Sequence, residues 1–232
     1  MAANFHLFGP AHLAILGSVP LLAAILTGVQ RKCAPGSKSL RVGLAVVILL
    51  DTVLNYGFLT FHGQFSTPDH LPLELCDASL FLVIFALFTL NRTVFDLAYY
   101  GALAGATMAL LTPNVWEPFP SFSTIQFFVA HGLTVAGVLF LVWSAQARPQ
   151  PGSVGRAMLA LNCFAAIVGA VDFLFKTNFM YLRFKPQNAS LLDLLGPWPW
   201  YIVAAEGVAW VVFSLLYLPF SRFQANAEST AS

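Results

Sequence analysis

The chain alternates long apolar stretches with short polar breaks. Stretches of about 20 residues, enough to cross a hydrocarbon core of roughly 30 Å, recur near 11–29, 42–62, 71–90, 95–112, 122–144, 156–176 and 198–220. Breaks rich in proline, glycine and asparagine separate them at 32–36, 67–69, 112–114 and 148–152, as is typical of loops. The pattern predicts an all-α polytopic membrane bundle of about seven transmembrane helices. We expect residues 1–222 to form one membrane domain and residues 223–232 a short disordered tail.

Composition supports a membrane protein and narrows the class of partner. Hydrophobic residues make up 58% of the chain and charged residues 9%, whereas about a quarter of a soluble domain is charged. A net charge of +1 argues against a nucleic-acid partner, which requires a basic surface. Membrane lipids are the expected partners, and the sequence leaves any protein partner unknown. Cys33 and Cys163 receive no role, because three widely spaced cysteines suit neither a disulfide framework nor a zinc ribbon.

Lysine and arginine are distributed unequally between the two sets of loops. Counting alternate sides of the predicted bundle places eight at one end and three at the other. Because cytoplasmic loops are enriched in basic residues, the first end is predicted to be cytoplasmic, with the N-terminus outside and the C-terminus inside. The eight are Arg31, Lys32, Lys38, Arg41, Arg92, Arg148, Arg156 and Arg222, and the three are Lys176, Arg183 and Lys185.

Four aromatic residues are then predicted at the outer interface. They are Trp116, Trp198, Trp200 and Tyr201. Such rings keep their apolar body in the acyl region and their polar edge in water. They could anchor the bundle or line a pocket, and the sequence leaves both roles open.

Polar residues on the predicted spans share a depth. A charged group in mid-membrane costs at least ~2.5 kcal/mol, so each one is a candidate for function. The inner halves of the spans carry few ionisable groups, so the clustering predicts a polar cavity open to the outer leaflet. The alternative is interhelical hydrogen bonding that only stabilises packing, at about 0.6 kcal/mol for each bond. The candidates are His12, Asp51, Asn55, Glu74, Cys76, Asp77, Gln126, His131, Asp172, Lys176 and Glu206.

Two pairs among these residues suggest chemistry. Glu74 and Asp77 are three residues apart and share a helical face, which favours sharing a proton and suits a general acid or a transporter. Cys76 and His131 are predicted at similar depths on helices that run in the same direction. A thiol in this setting needs an imidazole to remove its proton, which makes His131 the candidate base. Alternatively, Cys76 has only the packing role of a small hydrophobic residue in the core.

No metal or other cofactor is expected, because the five histidines show no spacing typical of a metal site. The outer segment 176–185 interleaves Lys176, Arg183 and Lys185 with aromatic residues. These cations could bind a phospholipid headgroup phosphate. The alternative is an ordinary interfacial loop.

Five short segments distributed over almost the whole chain carry a family resemblance. They are Phe8-Gly-Pro-Ala-His12, Leu71-Pro-Leu-Glu-Leu-Cys76-Asp77, Ala130-His131-Gly132, Thr177-Asn-Phe-Met-Tyr181 and Leu195-Gly-Pro-Trp-Pro-Trp-Tyr201. These segments resemble those of the YwaF-like bacterial membrane proteins, which are related to transmembrane protein 164 of animals. The resemblance implies an acyltransferase that moves fatty acyl chains between phospholipids with a cysteine and a histidine, here Cys76 and His131. It also favours a bacterial plasma membrane as the location.

The first functional hypothesis is therefore an intramembrane lipid acyltransferase or lipid ester hydrolase with a Cys76–His131 pair. Asp172 or Glu206 would orient the imidazole, and Glu74 and Asp77 could protonate the leaving alkoxide. Candidate oxyanion donors are Asn55, Gln126 and Asn178.

Two alternatives remain open at this stage. A small transporter or ligand-binding membrane protein would use the same cavity, and would depend on Asp51, Glu74, Asp172 and Glu206 more than on Cys76. A membrane scaffold would use the polar groups for packing alone.

Overall fold

The computed structural model describes residues 6–34, 36–113, 119–186 and 190–229, with side chains as far as Ser221. Trp116 and residues 230–232 of the predicted tail lie outside these ranges. The regular elements in the described part are helices: α1 Pro10–Gln30, α2 Ser39–Phe61, α3 Leu75–Thr89, α4 Arg92–Leu111, α5 Phe122–Trp143, α6 Ser153–Phe175 and α7 Trp200–Ser229. A π-helical stretch, Gly101–Ala106, lies within α4, and short 3-10 turns, Phe179–Tyr181 and Leu191–Leu195, precede α7.

The prediction of an all-α multi-span bundle is confirmed. Within the described residues, six helices are long and apolar enough to cross a membrane. The seventh, α3, has 15 residues, so it is roughly 22 Å long, shorter than a hydrocarbon core. It begins late because Pro72 disfavours helix before it and because Glu74 and Asp77 form a capping box at its start. The boundary between membrane domain and tail at residue 222 stays a prediction.

One end of the bundle collects most of the basic residues, and we call it the basic end. Arg31, after α1, donates from Nη2 to the carbonyl oxygen of Trp143 at the end of α5 (3.5 Å). Arg41, in the first turn of α2, donates from Nη1 to the Leu87 and Phe88 carbonyl oxygens near the end of α3, at 2.6 and 2.7 Å. The assignment of this end to the cytoplasm stays a prediction.

The core is built around α3 and α5, which run parallel to each other. The basic end brings the start of α2 to the end of α3, and the rings of Phe58 and Phe122 stack at 4.0 Å where α2 ends and α5 begins. Both α3 and α5 are therefore antiparallel to α2. Gly137 of α5 permits close approach to α3, since a Cβ there would lie 3.1 Å from Val83 and 3.5 Å from Leu87.

The outer surfaces of the helices are apolar. Leu54, Leu159 and Phe173 are 66%, 67% and 82% exposed, and they belong to helices of spanning length. In water such exposure would be unfavourable. These surfaces therefore contact membrane lipids.

Candidate functional site

His131, on α5, has one of its ring nitrogens free. Its Nδ1 lies 2.7 Å from the carbonyl oxygen of Phe127, one turn earlier. A carbonyl oxygen only accepts, so Nδ1 carries the proton and Nε2 of the neutral ring carries a lone pair. Nε2 is buried and has no hydrogen-bond partner among the described residues. This nitrogen is available to accept a proton.

Cys76 lies in the first turn of α3, the helix that packs against α5. It is a free thiol, mostly buried. Val83 follows it by seven residues, which is close to two helical turns, so both side chains lie on one face of α3. At Val83 that face contacts Gly137 of α5. Cys76 is therefore on the side of α3 that faces α5.

The two residues lie at similar depth. Cys76 is seven residues before Val83 and His131 is six residues before Gly137, so both lie roughly 9–10 Å from that contact along parallel helices. Around α5, His131 is about a third of a turn from Gly137. No hydrogen bond joins the Cys76 Sγ to His131, both of which are described residues. Catalytic hydrogen bonds are often long in the absence of substrate and shorten when it binds.

Glu74 and Asp77 cap the start of α3. The Glu74 side chain accepts from the Asp77 backbone, and Asp77 Oδ2 accepts from the Glu74 N–H at 3.2 Å. Glu74 Oε2 also accepts from the Met180 N–H at 2.9 Å. The two carboxyl groups therefore hold the Cys76 turn in place and join it to the loop after α6.

Sequence reasoning missed Tyr56 on α2. Tyr56 is half-buried on a helix that packs against α3, and its phenol makes no hydrogen bond to any described residue. The sequence feature that could have identified Tyr56 is its position directly after Asn55, on the predicted span that also carries Asp51. A phenol on the helix that packs against α3 can donate a hydrogen bond to a negatively charged oxygen.

The predicted oxyanion donors have different surroundings. Gln126 donates from Nε2 to Asp51 Oδ2 at 3.2 Å, which joins α5 to α2. Asn178 is committed to its own loop, where its Oδ1 accepts from the Arg183 and Phe184 N–H groups. Asn55 is half-buried and has no such partner in the described part of the chain.

The two acids predicted to orient His131 contact other groups. Asp172, fully buried at the end of α6, accepts through Oδ1 from Thr177 Oγ1 at 2.7 Å and from the Phe179 N–H at 2.9 Å. Glu206 on α7 accepts from Asn162 Nδ2 at 2.7 Å. The group that orients the imidazole is instead the carbonyl of Phe127.

His12, a fully buried histidine on α1, is bonded at both ring nitrogens. Its Nδ1 accepts from the Phe8 N–H at 2.9 Å, and its Nε2 lies 2.7 Å from the Leu110 carbonyl oxygen. The backbone donor at Nδ1 places the proton on Nε2, which donates to Leu110. His12 therefore ties α1 to the end of α4.

The loop after α6 carries Lys176, Arg183 and Lys185 and is held by hydrogen bonds. Arg183 donates from Nη1 to the Thr177 carbonyl oxygen at 2.9 Å, and the Lys185 Nζ lies 5.5 Å from the centre of the Tyr201 ring. Lys176 is exposed. Tyr201, 2% exposed, donates to the Tyr181 carbonyl oxygen, whereas Trp198 and Trp200 are exposed. Lipid phosphate binding by these cations stays a prediction.

A buried ion pair near the basic end corrects the picture of an inner half with few ionisable groups. Asp96 on α4 is fully buried and accepts from Arg156 Nη2 at 2.6 Å. Beside it, the Tyr100 hydroxyl lies 2.7 Å from Ser153 Oγ. The sequence feature that could have indicated the pair is an aspartate, Asp96, inside a predicted apolar span. Because its partner lies 60 residues further along the chain, spacing could not reveal the pair.

Comparison with known proteins identifies the family. A model of the TMEM164 family matches residues 7–217. The chain belongs to the TMEM164 family. The match confirms the resemblance to transmembrane protein 164, and the likeness to YwaF-like bacterial proteins stays a prediction. No curated protein and no solved structure matches the chain significantly.

This TMEM164 family member has a large apolar cavity of about 510 Å³ on the side of α3 away from α2. Leu75 and Ser79 of α3 line it at the Cys76 end, and Phe213 of α7 lines it deeper in the bundle. The space exists because small residues face one another across it. These are Ala78, Gly101, Ala104, Gly105, Ala157, Ala160, Ala205 and Ala209.

Two acids of this TMEM164 family member converge on one turn, since Asp172 accepts from the Phe179 N–H and Glu74 from the Met180 N–H. Within the described residues, no three His, Cys, Asp or Glu side chains are grouped as metal ligands. Asp51, Glu74, Asp172 and Glu206 each bond to a different partner. Among the described acids and histidines, the buried atoms without a hydrogen-bond partner are His131 Nε2 and Asp172 Oδ2.

Proposed function

We propose that the protein is an intramembrane lipid acyltransferase or lipid ester hydrolase, with Cys76 as nucleophile and His131 as base. The observation that carries the proposal is the His131 Nε2, which is buried and unpaired among the described residues. The Phe127 carbonyl fixes the tautomer in which this nitrogen is basic. Cys76 is a thiol at similar depth on the adjacent parallel helix.

The first half-reaction forms an acyl-enzyme. His131 Nε2 takes the proton of the Cys76 thiol, and the thiolate attacks the carbonyl carbon of a lipid ester. The S–C bond forms, the C–O ester bond breaks, and the leaving alkoxide takes the proton from the imidazolium. Tyr56 donates a hydrogen bond to the oxyanion of the tetrahedral intermediate.

The second half-reaction releases the acyl group. A lipid hydroxyl gives its proton to His131 and attacks the thioester carbonyl, which forms the new C–O bond and breaks the C–S bond. The leaving thiolate recovers the proton. When water replaces the lipid hydroxyl, the same steps give a free fatty acid, and the enzyme is then a hydrolase.

The apolar cavity supports a lipid substrate. It begins beside Leu75, the neighbour of Cys76, and its walls offer almost no polar group to anything other than a hydrocarbon chain. We place an acyl chain of the substrate there. An acyl chain that moves from the bilayer into the cavity loses its contacts with other lipid chains. The apolar cavity walls provide similar contacts, so the move costs little free energy.

The experiment is capture of the acyl-enzyme. Purified protein in detergent is incubated with a phospholipid that carries a labelled acyl chain, and protein-bound label is measured before and after hydroxylamine, which cleaves thioesters. We expect label that hydroxylamine removes in the natural protein, and none in Cys76→Ala.

The matched control is Cys163→Ala, because Cys163 is an exposed cysteine on α6. It should label like the natural protein. Label that persists in Cys76→Ala, or lipid remodelling at an unchanged rate in that variant, would overturn the proposal.

A further inference from the structure

A second cavity, of about 570 Å³, opens at the basic end, away from Cys76. It lies between the α3–α4 turn, the α5–α6 loop and α7. Its inner wall is apolar and includes Phe95, Val142 and Phe220, whereas Arg92 and Arg148 line its polar part. An apolar wall beside two guanidinium groups is an amphipathic site.

These two arginines differ from the others at the basic end. Neither Arg92 nor Arg148 has a hydrogen-bond or ion-pair partner for its guanidinium among the described residues. By contrast, Arg31 and Arg41 donate to backbone carbonyl oxygens at helix ends, and Arg156 is paired with Asp96. Among the arginines at this end whose side chains are described, the two that line the cavity are thus the ones without a partner.

No acidic residue lines the cavity in the described part of the chain. Asp96 lies behind it, where Oδ1 accepts from the Gln150 N–H at 3.0 Å. That carboxylate is fully buried and neutralised by Arg156. The lining therefore has two formal positive charges that nothing in it balances, which favours an anion.

The loop that carries Arg148 is held by its own hydrogen bonds. The Gln146 and Ala147 N–H groups donate to the Leu141 carbonyl oxygen at 3.0 and 3.2 Å. Gln150 donates from Nε2 to the Arg148 carbonyl oxygen at 2.9 Å. A ligand therefore meets a largely preformed site and loses little affinity to ordering the loop.

We propose that this cavity binds an anionic phospholipid of the leaflet at the basic end. The phosphate lies between Arg92 and Arg148, whose planar donor groups match its oxygens. The acyl chain runs along Phe95, Val142 and Phe220. Basic pockets between transmembrane helices bind such headgroups. The site is independent of the proposed acyl transfer, because it shares no residue with the Cys76 end.

The test is a lipid titration of the purified full chain in a non-ionic detergent, read by native mass spectrometry. Phosphatidylglycerol is compared with phosphatidylcholine, and inorganic phosphate serves as competitor. We expect preference for phosphatidylglycerol, and Arg92→Gln with Arg148→Gln should weaken its binding on the order of thirtyfold. The matched control, Lys32→Gln with Lys38→Gln, removes two charges at the same end outside the cavity and should change binding less than about twofold.

Three outcomes would overturn the proposal. They are unchanged phosphatidylglycerol binding in the double arginine variant, an equal loss in the lysine control, and displacement of the lipid by inorganic phosphate at equal concentration, which would indicate a free-phosphate site. Both arginines are exposed, so the variant should unfold at the same temperature as the natural protein. If it does not purify, Arg148→Gln alone should show a loss of about fivefold.

Discussion

The two histidines on the spanning helices, His12 and His131, lie on neighbouring parallel helices and differ in how many bonds they make. His12 of α1 has a backbone partner at each ring nitrogen. His131 of α5 has one backbone partner and one free nitrogen. The helices are in contact at the next residue, since a Cβ on Gly132 would lie 3.3 Å from Val19. Residue type is therefore matched and local bonding differs, while His131 lies roughly 9 Å nearer the basic end than His12.

The difference teaches that burial of a polar residue in a membrane bundle is not by itself a sign of function. A ring with both nitrogens bonded contributes to packing, because a further proton would break one of its bonds. A ring with one free nitrogen leaves a buried acceptor without a hydrogen bond, which is unfavourable. A ligand or a proton that binds this nitrogen removes that cost. The side chains are identical, so the number of hydrogen-bonded ring nitrogens is what distinguishes a structural histidine from a candidate base.

The largest expected effect comes from removing the free nitrogen. His131→Asn keeps an amide near the position of Nδ1 that can donate to the Phe127 carbonyl, but it has no base. We expect acyl transfer to fall roughly 10²- to 10⁴-fold, with the unfolding temperature nearly unchanged. The measurement is single-turnover formation of the acyl-enzyme. A rate within a factor of two of the natural protein would remove His131 from the mechanism.

The next effect tests the Tyr56 phenol. Tyr56→Phe keeps the ring and removes the hydroxyl that we propose donates to the oxyanion. We expect the turnover number to fall on the order of 10²-fold, with little change in the substrate concentration at half-maximal rate. Tyr217→Phe, on α7, is the control for loss of a phenol. Equal losses in both variants would indicate a general effect on the bundle.

A smaller effect is expected from filling the apolar cavity. Ala160→Phe places a ring among the small residues that create it, so long acyl chains should react about tenfold more slowly than short ones. Ala166→Phe, on the exposed side of α6, should leave the chain-length profile unchanged. Competition between labelled lipids of different chain length measures the ratio. An unchanged ratio in Ala160→Phe would place the acyl chain elsewhere.

The smallest effect on rate is expected at the other histidine. His12→Gln retains a donor toward the Leu110 carbonyl and leaves the Phe8 N–H without its acceptor. Such a loss costs about 1–3 kcal/mol, so the unfolding temperature in detergent should fall. The rate for each folded molecule should stay within about twofold. A large loss of rate in folded protein would show that the two histidines do not differ in role.

Much of the fold follows from the apolar pattern, and α3 shows its limit. Backbone groups cannot remain unpaired in a hydrocarbon core, so each long apolar stretch has to be helical. The predicted span at 71–90 becomes a helix of 15 residues starting at Leu75, because proline and capping decide where a helix begins. Hydropathy averages over a window and does not register either effect.

The candidate site was predicted in part. Cys76, His131 and their similar depth follow from helix length and alternating direction. Tyr56 was missed, and Asp172 and Glu206 were assigned to an imidazole that they do not contact. The depth of a residue along a helix can be counted from the sequence. The neighbouring helix that its side chain faces depends on how the helices pack, which the count does not give.

The amino-acid sequence by itself determined that this chain forms a helical membrane bundle and at which depth its polar groups lie, because hydrocarbon thickness and helical rise set both. Tertiary structure alone decided which of these groups are satisfied. Hydrogen bonds such as those from His12 to Leu110 and from Gln126 to Asp51 join residues 98 and 75 positions apart. Whether a buried nitrogen is bonded or free depends on atoms from other helices, which no local pattern specifies.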